Sequence, residues 1–406
     1  MDLLEQMARA PGARTVLDAL AGEPGVHVVG GAVRDALLGV APHELDIVVE
    51  GDAVPVARHA AERLGGEVVV HDRFGTATVR SPAATFDVVT ARTETYPAPG
   101  ALPDVRPGAT IEQDLARRDF TVNAIALRIA DGALAEWPGA QEDLRAGVLR
   151  VLHERSFEDD PTRLLRMARY AARLGFEPDP ATDALAAAAT VQTVSGARLG
   201  SELRLLLREP QPAGLLALER HGLGRSVVHP SFRADVGFIE RALALCPADA
   251  RADLVVLATT FGGLAASSDI SNALDLLEFD ARSRGIVADA ASGAGYLCDE
   301  LEEPDHHDPG PPTDADLWRM LHRRTVEAVV VAGANCPGDA EEAARRWLED
   351  VRHRNLAING DDFVAAGLEG PAVGAALEAA QLALLAGEAP GAAEQLAAGL
   401  AAVRPS

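Results

Sequence analysis

The stretch Val29 to Gly51 reads V-G-G-A-V-R-D-A-L-L-G-V-A-P-H-E-L-D-I-V-V-E-G, and the order of its parts decides the fold. The valine-rich stretch Val26 to Val29 predicts a strand that enters the pair Gly30-Gly31. A short amphipathic helix follows, and Pro42 marks a turn. The apolar run Leu45 to Val49 predicts a second strand, with Glu44 and Asp46 two residues apart at its start. Residues i and i+2 share one face of a strand, so the two carboxylates are expected to aim together. Two hard oxygen ligands on one face suit Mg²⁺. A glycine pair admits a phosphate close to the backbone, and a helix N-terminus behind it favours an anion. Each part alone is a common surface feature. Together and in this order they describe a metal-dependent nucleotide site.

Outward from that core, residues 1–25 predict a short helix and a turn at Pro24-Gly25. Ala53 to Leu64 has helical spacing and ends at Gly65-Gly66. Glu67–Val70 and Thr76–Val79 read as strands joined by a turn around Asp72 to Gly75, and Phe86–Thr90 as another. Strands with two early helices in about 125 residues indicate a small α/β domain. Tyr96 to Gly108 carries four prolines and two glycines and is expected to be a long loop. Helix resumes at Ile111, and residues 151–406 are dominated by Ala, Leu and Arg at helical spacing. Pro304 to Pro312 is an acidic, proline-rich connector. His306 and His307, beside Asp305 and Asp308, read there as a solvated linker rather than a metal site, which needs rigid convergent ligands.

At 406 residues the chain is too long for one ordinary core, so about two to four domains are expected. All 37 of its basic residues are Arg, and the net charge is −24. Residues 1–225 hold 24 Arg and 32 acids, net −8, whereas residues 226–406 hold 13 Arg and 29 acids, net −16. A generally basic nucleic-acid surface is excluded, and a local basic groove in the first half is not. Cys246, Cys298 and Cys336 are widely spaced with no C-x-x-C, which argues against a zinc site or a disulfide partner and fits a reducing cytoplasm. No leader pattern or membrane-length apolar run is present.

Three further segments carry chemistry. Asp87 lies in F-D-V-V-T-A-R on a predicted strand. Two-metal phosphoryl transfer commonly takes a third carboxylate from a neighbouring strand, and the alternative is an edge acid paired with Arg92 or Arg80. The run Arg117 to Ala124, R-R-D-F-T-V-N-A, offers a phosphate clamp plus groups able to bind ribose hydroxyls. In the run Phe157 to Phe176, Pro161 starts a helix on which Arg163, Arg166, Arg169 and Arg173 fall within about 120° of surface. Asp160 lies beside that arc, and an Asp and an Arg one turn apart can present acceptor and donors to a base edge.

These segments resemble the motifs of the class II tRNA nucleotidyltransferase and poly(A) polymerase family. The first resembles G-G-x-V-R-D-x-L-L-G followed by D-x-D, with Glu44 where the family usually has Asp. R-R-D-F-T-x-N-A matches the family's ribose-selecting motif. The third resembles E-D-P-x-R-x-x-R, with Asp159 in place of the usual Glu. Ile358 to Gly374 is similar to the tail of many bacterial members, and reads equally as a helix packing corner.

The resemblance implies an α/β nucleotidyltransferase (polymerase β-like) head at 1–150, then an all-helical neck (151–225), body (226–310) and tail (311–406). It implies attack of an RNA 3′-hydroxyl on the α-phosphorus of a nucleoside triphosphate. Glu44, Asp46 and Asp87 would hold two Mg²⁺. Gly30, Gly31 and Arg34 would contact the triphosphate, and Arg118, Asp119 and Asn123 would position sugar and phosphate. Asp160 and Arg163 would read the base, with Arg166 and Arg169 nearer the phosphates or RNA. The expected partners are the tRNA 3′ end, ATP and CTP. Addition of CCA, of CC or A alone, or of poly(A) all remain open. So does a non-catalytic RNA-binding relative whose metal site decayed through Glu44, although the intact R-R-D and D-D-P-T-R runs oppose it.

Overall fold

The computed structural model describes residues 3–71, 75–261, 265–302 and 311–403. They divide into two compact units, Met1–Glu202 and Leu203–Ser406.

The first unit opens with helices α1 (Leu3–Met7) and α2 (Ala13–Leu20). Strand β1 (Val26–Val29), helix α3 (Gly31–Leu37), strand β2 (Asp46–Val49) and helix α4 (Ala53–Leu64) follow. Asp52 caps α4 by accepting from the Val54 N–H, and left-handed Gly65 ends it, as the glycine pair predicted. Strands β3 (Glu67–His71), β4 (Thr76–Arg80) and β5 (Thr85–Thr90) come next. With β8 (Ile125–Arg128) and β9 (Leu134–Glu136) they form one seven-stranded sheet in the order β3-β4-β5-β2-β1-β8-β9. Only β2 and β5 run parallel; the other pairings are antiparallel.

All four residues of β1 are buried, the three valines and His27 alike, because the strand lies inside the sheet between β2 and β8. The Tyr96–Gly108 segment is less open than expected. β6 (Arg92–Thr95) and β7 (Asp104–Pro107) pair as an antiparallel ribbon, and the prolines are accommodated at its edge and tip. Helix α5 (Ile111–Ala116) starts at a Thr110–Gln113 capping box. Beyond it lie α6 (Ala140–Ala146), the short parallel pair β10 (Val148–Leu149) and β11 (Glu177–Pro178), α7 (Ser156–Asp159), α8 (Thr162–Leu174), α9 (Pro180–Ala188) and α10 (Gly196–Leu206).

The described part of the second unit is helical, from α11 (Ala213–Arg220) through α12 (Val236–Leu245), α13 (Ala252–Thr259) and α14 (Ser267–Leu276) to the long α15 (Ala281–Glu302). It continues with α16 (Asp314–Leu321), α17 (Val326–Asn335) and α18 (Asp339–Glu349). The chain then enters α19 (Gly360–Ala365), α20 (Pro371–Leu385) and α21 (Ala392–Val403), which close on Phe363, Ala376 and Ala380. The expectation of no disulfide partner is corrected here. Cys298 on α15 and Cys336 at the end of α17 are bonded, 38 residues apart in sequence, because the two helices pack side by side. Spacing alone cannot reveal such a pairing. His306, His307 and their neighbouring acids lie outside the described residues. Among the described residues no helix is long and apolar enough to cross a membrane.

Candidate active site

β2 begins at Asp46, so Glu44 sits in the bend before the strand and the i, i+2 argument does not apply to it. The turn after α3 delivers Glu44 instead. Glu44, Asp46 and Asp87 nonetheless line one cavity of about 490 Å³ with His43 and Phe86. The parallel register Ile47 with Val88 leaves Asp46 and Asp87 at the same level of adjacent strands, about 4.8 Å apart at the backbone. The partner of Asp87 is Thr78 on β4, whose Oγ1 donates to Oδ1 at 2.5 Å. Burial raises the Asp46 pKa; Arg118 opposes the rise, and Glu44 and Asp87 add to it. An all-oxygen donor set under mutual repulsion fits a hard divalent cation, whose charge would relieve it.

A second cavity, of about 290 Å³, shares Leu45, Asp46 and Asp87 with the first but is lined by Arg92, Arg117 and Arg118. Asp114, fully buried on α5, orients this arginine group. Its Oδ1 accepts from Arg117 Nε at 2.9 Å and from the Arg92 N–H at 3.3 Å, and its Oδ2 from Arg118 Nη2 at 3.0 Å. Glu94 on the β6–β7 ribbon accepts from Arg117 Nη1 at 3.0 Å and from the Tyr96 hydroxyl at 3.3 Å. The Arg118 Nε is buried with no hydrogen-bond partner among the described residues, an N–H suited to a phosphate oxygen. Gly30 is needed beside it: φ is 70°, and a Cβ would stand 2.7 Å from Arg118 Nη1. At Gly31 a Cβ would meet Arg34 Nη2 at 3.6 Å, an ordinary contact.

Other predicted residues form a buried network. Arg34 is 2 % exposed, and its Nη1 donates to Asn123 Oδ1 at 2.8 Å. The Asn123 amide donates to Asp119 Oδ1 at 3.0 Å. Arg166 closes on Asp119 Oδ2 through Nε at 2.8 Å and Nη2 at 2.6 Å, and on Glu202 of α10 at 3.1 Å. Arg169 pairs with Glu202 at 3.2 Å. Arg34, Arg166 and Arg169 surround the Tyr170 ring, with guanidinium carbons 5.4, 5.6 and 4.8 Å from its centre. Burial alone would raise the Asp119 pKa, but the Arg166 charge and the Asn123, Arg166 and Phe120 N–H bonds hold it well below the usual carboxylate range. Most of the arginine arc on α8 is therefore turned inward: Arg163 and Arg169 are buried and Arg166 is spent internally, whereas Arg173 is exposed.

Asp160 and Arg163 each engage other partners. Asp160 Oδ1 accepts from Thr162 Oγ1 at 2.6 Å and from Arg198 Nη2 at 2.7 Å. Arg163 donates to Ser156 Oγ at 2.6 Å and to the Arg117 carbonyl at 2.8 Å, which ties α8 to the R-R-D run. Tyr96 feels both: burial pushes its hydroxyl up to about 12, Arg163 opposes, and Glu94 and Asp160 contribute.

Sequence reading missed Asp114, Glu94, Arg198 and Glu202. Asp114 carried a legible signal, since it stands three and four residues before Arg117 and Arg118. Arg198 and Glu202 carried none, because their partners lie 33–38 residues away.

Residues 26–150 match the family model for the poly(A) polymerase head domain. An A-adding tRNA nucleotidyltransferase of Halalkalibacterium halodurans is 43 % identical over 46 % of this chain and 45 % of its own. A CC-adding tRNA nucleotidyltransferase of Deinococcus radiodurans is 44 % identical over 50 % and 55 %. The chain thus spans about half the length of these two relatives. A multifunctional CCA protein of Xanthomonas campestris is 32 % identical over 89 % of this chain and 98 % of its own length. The chain belongs to the class II tRNA nucleotidyltransferase family. Solved structures match this chain over nearly all of its length. A CCA-adding enzyme in an apo form superposes with a TM-score of 0.81, at 27 % identity and 99 % coverage of each chain. The Thermotoga maritima CCA-adding enzyme complexed with tRNA gives 0.77, at 25 % identity, 99 % of this chain and 98 % of that one. Enzymes of this nucleotidyltransferase family generally use divalent metals.

Proposed function

We propose that this chain extends the 3′ end of tRNA from CTP and ATP, building CCA without a template. One observation carries the reading: the carboxylates of Asp46 and Asp87 form a ridge between an arginine-lined cavity and one lined by no arginine among the described residues. In-line phosphoryl transfer needs that polarity, with the anionic triphosphate on one side and the attacking hydroxyl on the other. Alignment with the Xanthomonas campestris CCA protein over most of its length supports the choice of product. The complex of the Thermotoga maritima neighbour with tRNA supports the choice of acceptor.

In this reading Glu44, Asp46 and Asp87 hold two Mg²⁺. When bound, the ions lower the pKa of the RNA 3′-hydroxyl and offset charge on the departing pyrophosphate. Arg118, with its unpaired Nε, and Arg117 hold the triphosphate, with Asp114 fixing both. Gly30 leaves the backbone open beside them. Asp119 and Asn123 shape the floor under the sugar, and Arg34 acts through Asn123 rather than on phosphate. Asp160 and Arg163 read the base edge, placed by Arg198 and by Ser156 and Arg117. Arg166 and Arg169 brace α8 against α10. Residues 1–150 serve as head, 151–225 as neck, 226–310 as body and 311–406 as tail, in a cytoplasmic enzyme.

A second reading, addition of CC or of A alone, is favoured by the higher identity of the partial-adding relatives over the first half of the chain. The test is incubation with tRNA ending before CCA, and with tRNA ending in CC, using CTP, ATP or both, followed by end sequencing. A complete enzyme yields CC from CTP alone and CCA from the mixture. A CC-adding enzyme stops at CC, an A-adding enzyme acts only on the CC-ended tRNA, and a poly(A) polymerase leaves a run of A. No extension in any arm overturns the proposal.

A further inference from the structure

Away from the active site, the described residues gather metal-type ligand atoms at one place in the second unit: Cys298, Glu302 and Cys336. Cys298 is buried on α15, Glu302 follows one turn later at the exposed end of the same helix, and Cys336 caps α17 half-buried. The two sulfurs and a Glu302 oxygen lie within 4.8 Å of one another. Helical side chains lean toward the N-terminus, so Glu302 reaches back over Cys298 rather than away from it. Asn335 Nδ2 stands 3.7 Å from Cys336 Sγ.

We infer that the Cys298–Cys336 pair is a thiol-gated site whose reduced form binds a soft divalent cation, Zn²⁺, through both thiolates and Glu302. The backbone suits both states. A Cα–Cα distance of 6.2 Å is within the range of about 4.4–6.8 Å that a disulfide requires. A tetrahedral Zn²⁺ with Zn–S bonds of about 2.3 Å needs its two sulfurs roughly 3.8 Å apart. Rotation of two cysteine side chains opens the pair that far while α15 and α17 stay in place. Two thiolates select zinc over magnesium, because hard Mg²⁺ takes oxygen ligands. Three protein ligands leave one position for water. Binding releases two thiol protons as two Zn–S bonds form. Oxidation by a low-molecular-weight disulfide reverses it: the Cys298–Cys336 bond forms, the oxidant's S–S bond breaks into two thiolates that take up two protons from solvent, and the ion departs. The helices are thus tied together in either state, by a covalent bond or by a metal that a chelator removes.

The test uses the full chain, reduced with a phosphine, stripped with a chelator and titrated with Co²⁺ as the zinc probe. The expected result is a thiolate-to-Co²⁺ charge-transfer band saturating at one equivalent and displaced by Zn²⁺. An oxygen-only site such as the Asp46–Asp87 ridge gives no such band. Cys298→Ser and Cys336→Ser should each abolish it, Glu302→Gln should weaken binding about tenfold, and Cys246→Ser should leave it intact. On the wild-type chain, a low-molecular-weight disulfide should erase the band as the mass falls by two hydrogens. Absence of the band from the reduced wild-type chain, or its survival in the Cys298→Ser, Cys336→Ser double variant, overturns the inference.

Discussion

Asp114→Asn isolates the support beneath the arginine clamp, since it preserves volume and removes one charge. Asp114 is 0 % exposed and serves Arg117, Arg118 and the Arg92 N–H at 2.9, 3.0 and 3.3 Å. Breaking a buried ion pair from one side costs about 3–5 kcal/mol. Arg117 keeps Glu94 at 3.0 Å, and the two guanidinium side chains are 18 % and 15 % exposed, so solvent reduces the cost to about 2–3 kcal/mol. For a unit of this size that lowers Tm by about 4–12 °C. Losing a charge-assisted bond that aims Arg118 costs about 1.5–3 kcal/mol at the transition state, or roughly 10- to 150-fold in kcat/KM for the triphosphate. The pH dependence has a definite sign. Burial alone would raise the Asp114 pKa, but Arg117 and Arg118 more than offset it and hold it below its ordinary value. Its contribution is therefore present above about pH 4, the unfolded value, and is lost as pH falls through the lower folded value. The Tm gap between wild type and variant should be constant near neutrality and close only in acid. Thermal melts across pH and steady-state kinetics with saturating tRNA read both effects. A lower Tm with unchanged kcat/KM makes Asp114 purely structural, and no change in either refutes the argument.

Asp46→Asn should cut transfer by about 10³-fold or more without lowering Tm; because Asp46 is raised, the Mg²⁺ needed for half-activity should begin to climb with acidification above the range of an ordinary aspartate. Glu44→Asp, by contrast, should change the rate by less than about tenfold, or 1.4 kcal/mol, and a larger change would show that the bend before β2 is tuned to glutamate. Arg198→Ala should relax discrimination among C, A, U and G as much as Asp160→Ala does, since Arg198 holds Asp160 at 2.7 Å; unchanged incorporation ratios would remove both from base reading. Residues 151–225 hold 10 Arg and 10 acids, with Arg166, Arg169 and Arg198 already paired internally, so tRNA binding across a salt series should show a shallow slope of roughly two to five phosphate contacts. A slope near ten contacts would place the RNA surface elsewhere.

Periodic and punctuated segments were legible in the sequence. Val26–Val29 is a strand because its neighbours bury both faces, and Ala53–Leu64 is a helix because Asp52 and Gly65 cap it. The head motifs were legible because each packs its parts into a few consecutive residues. What remained hidden depends on contacts distant in sequence. The Asp119–Arg166 clamp spans 47 residues, the Arg198–Asp160 pair 38, and the cysteine bond 38. Arg166 and Arg169 show the same blindness from the other side. A polar arc on an amphipathic helix usually faces water, and here Glu202 and Tyr170 cover it. Glu44 was misplaced by a single residue at a strand boundary, where local pattern is weakest.

Pairing β5 directly against β2 gives the site an internal ruler. The chain leaves β2 at Val49, builds α4, β3 and β4, and returns at Thr85, yet the interval between Asp46 and Asp87 is graduated by backbone hydrogen bonds. The excursion supplies Thr78 of β4, whose hydroxyl donates to Asp87, but the backbone interval itself is fixed by the β2–β5 pairing. Lineages could lengthen, shorten or redecorate the connections on either side of β4 and keep the same calibration. A one-residue slip of β5 would instead turn Asp87 to the opposite face and erase it at a stroke.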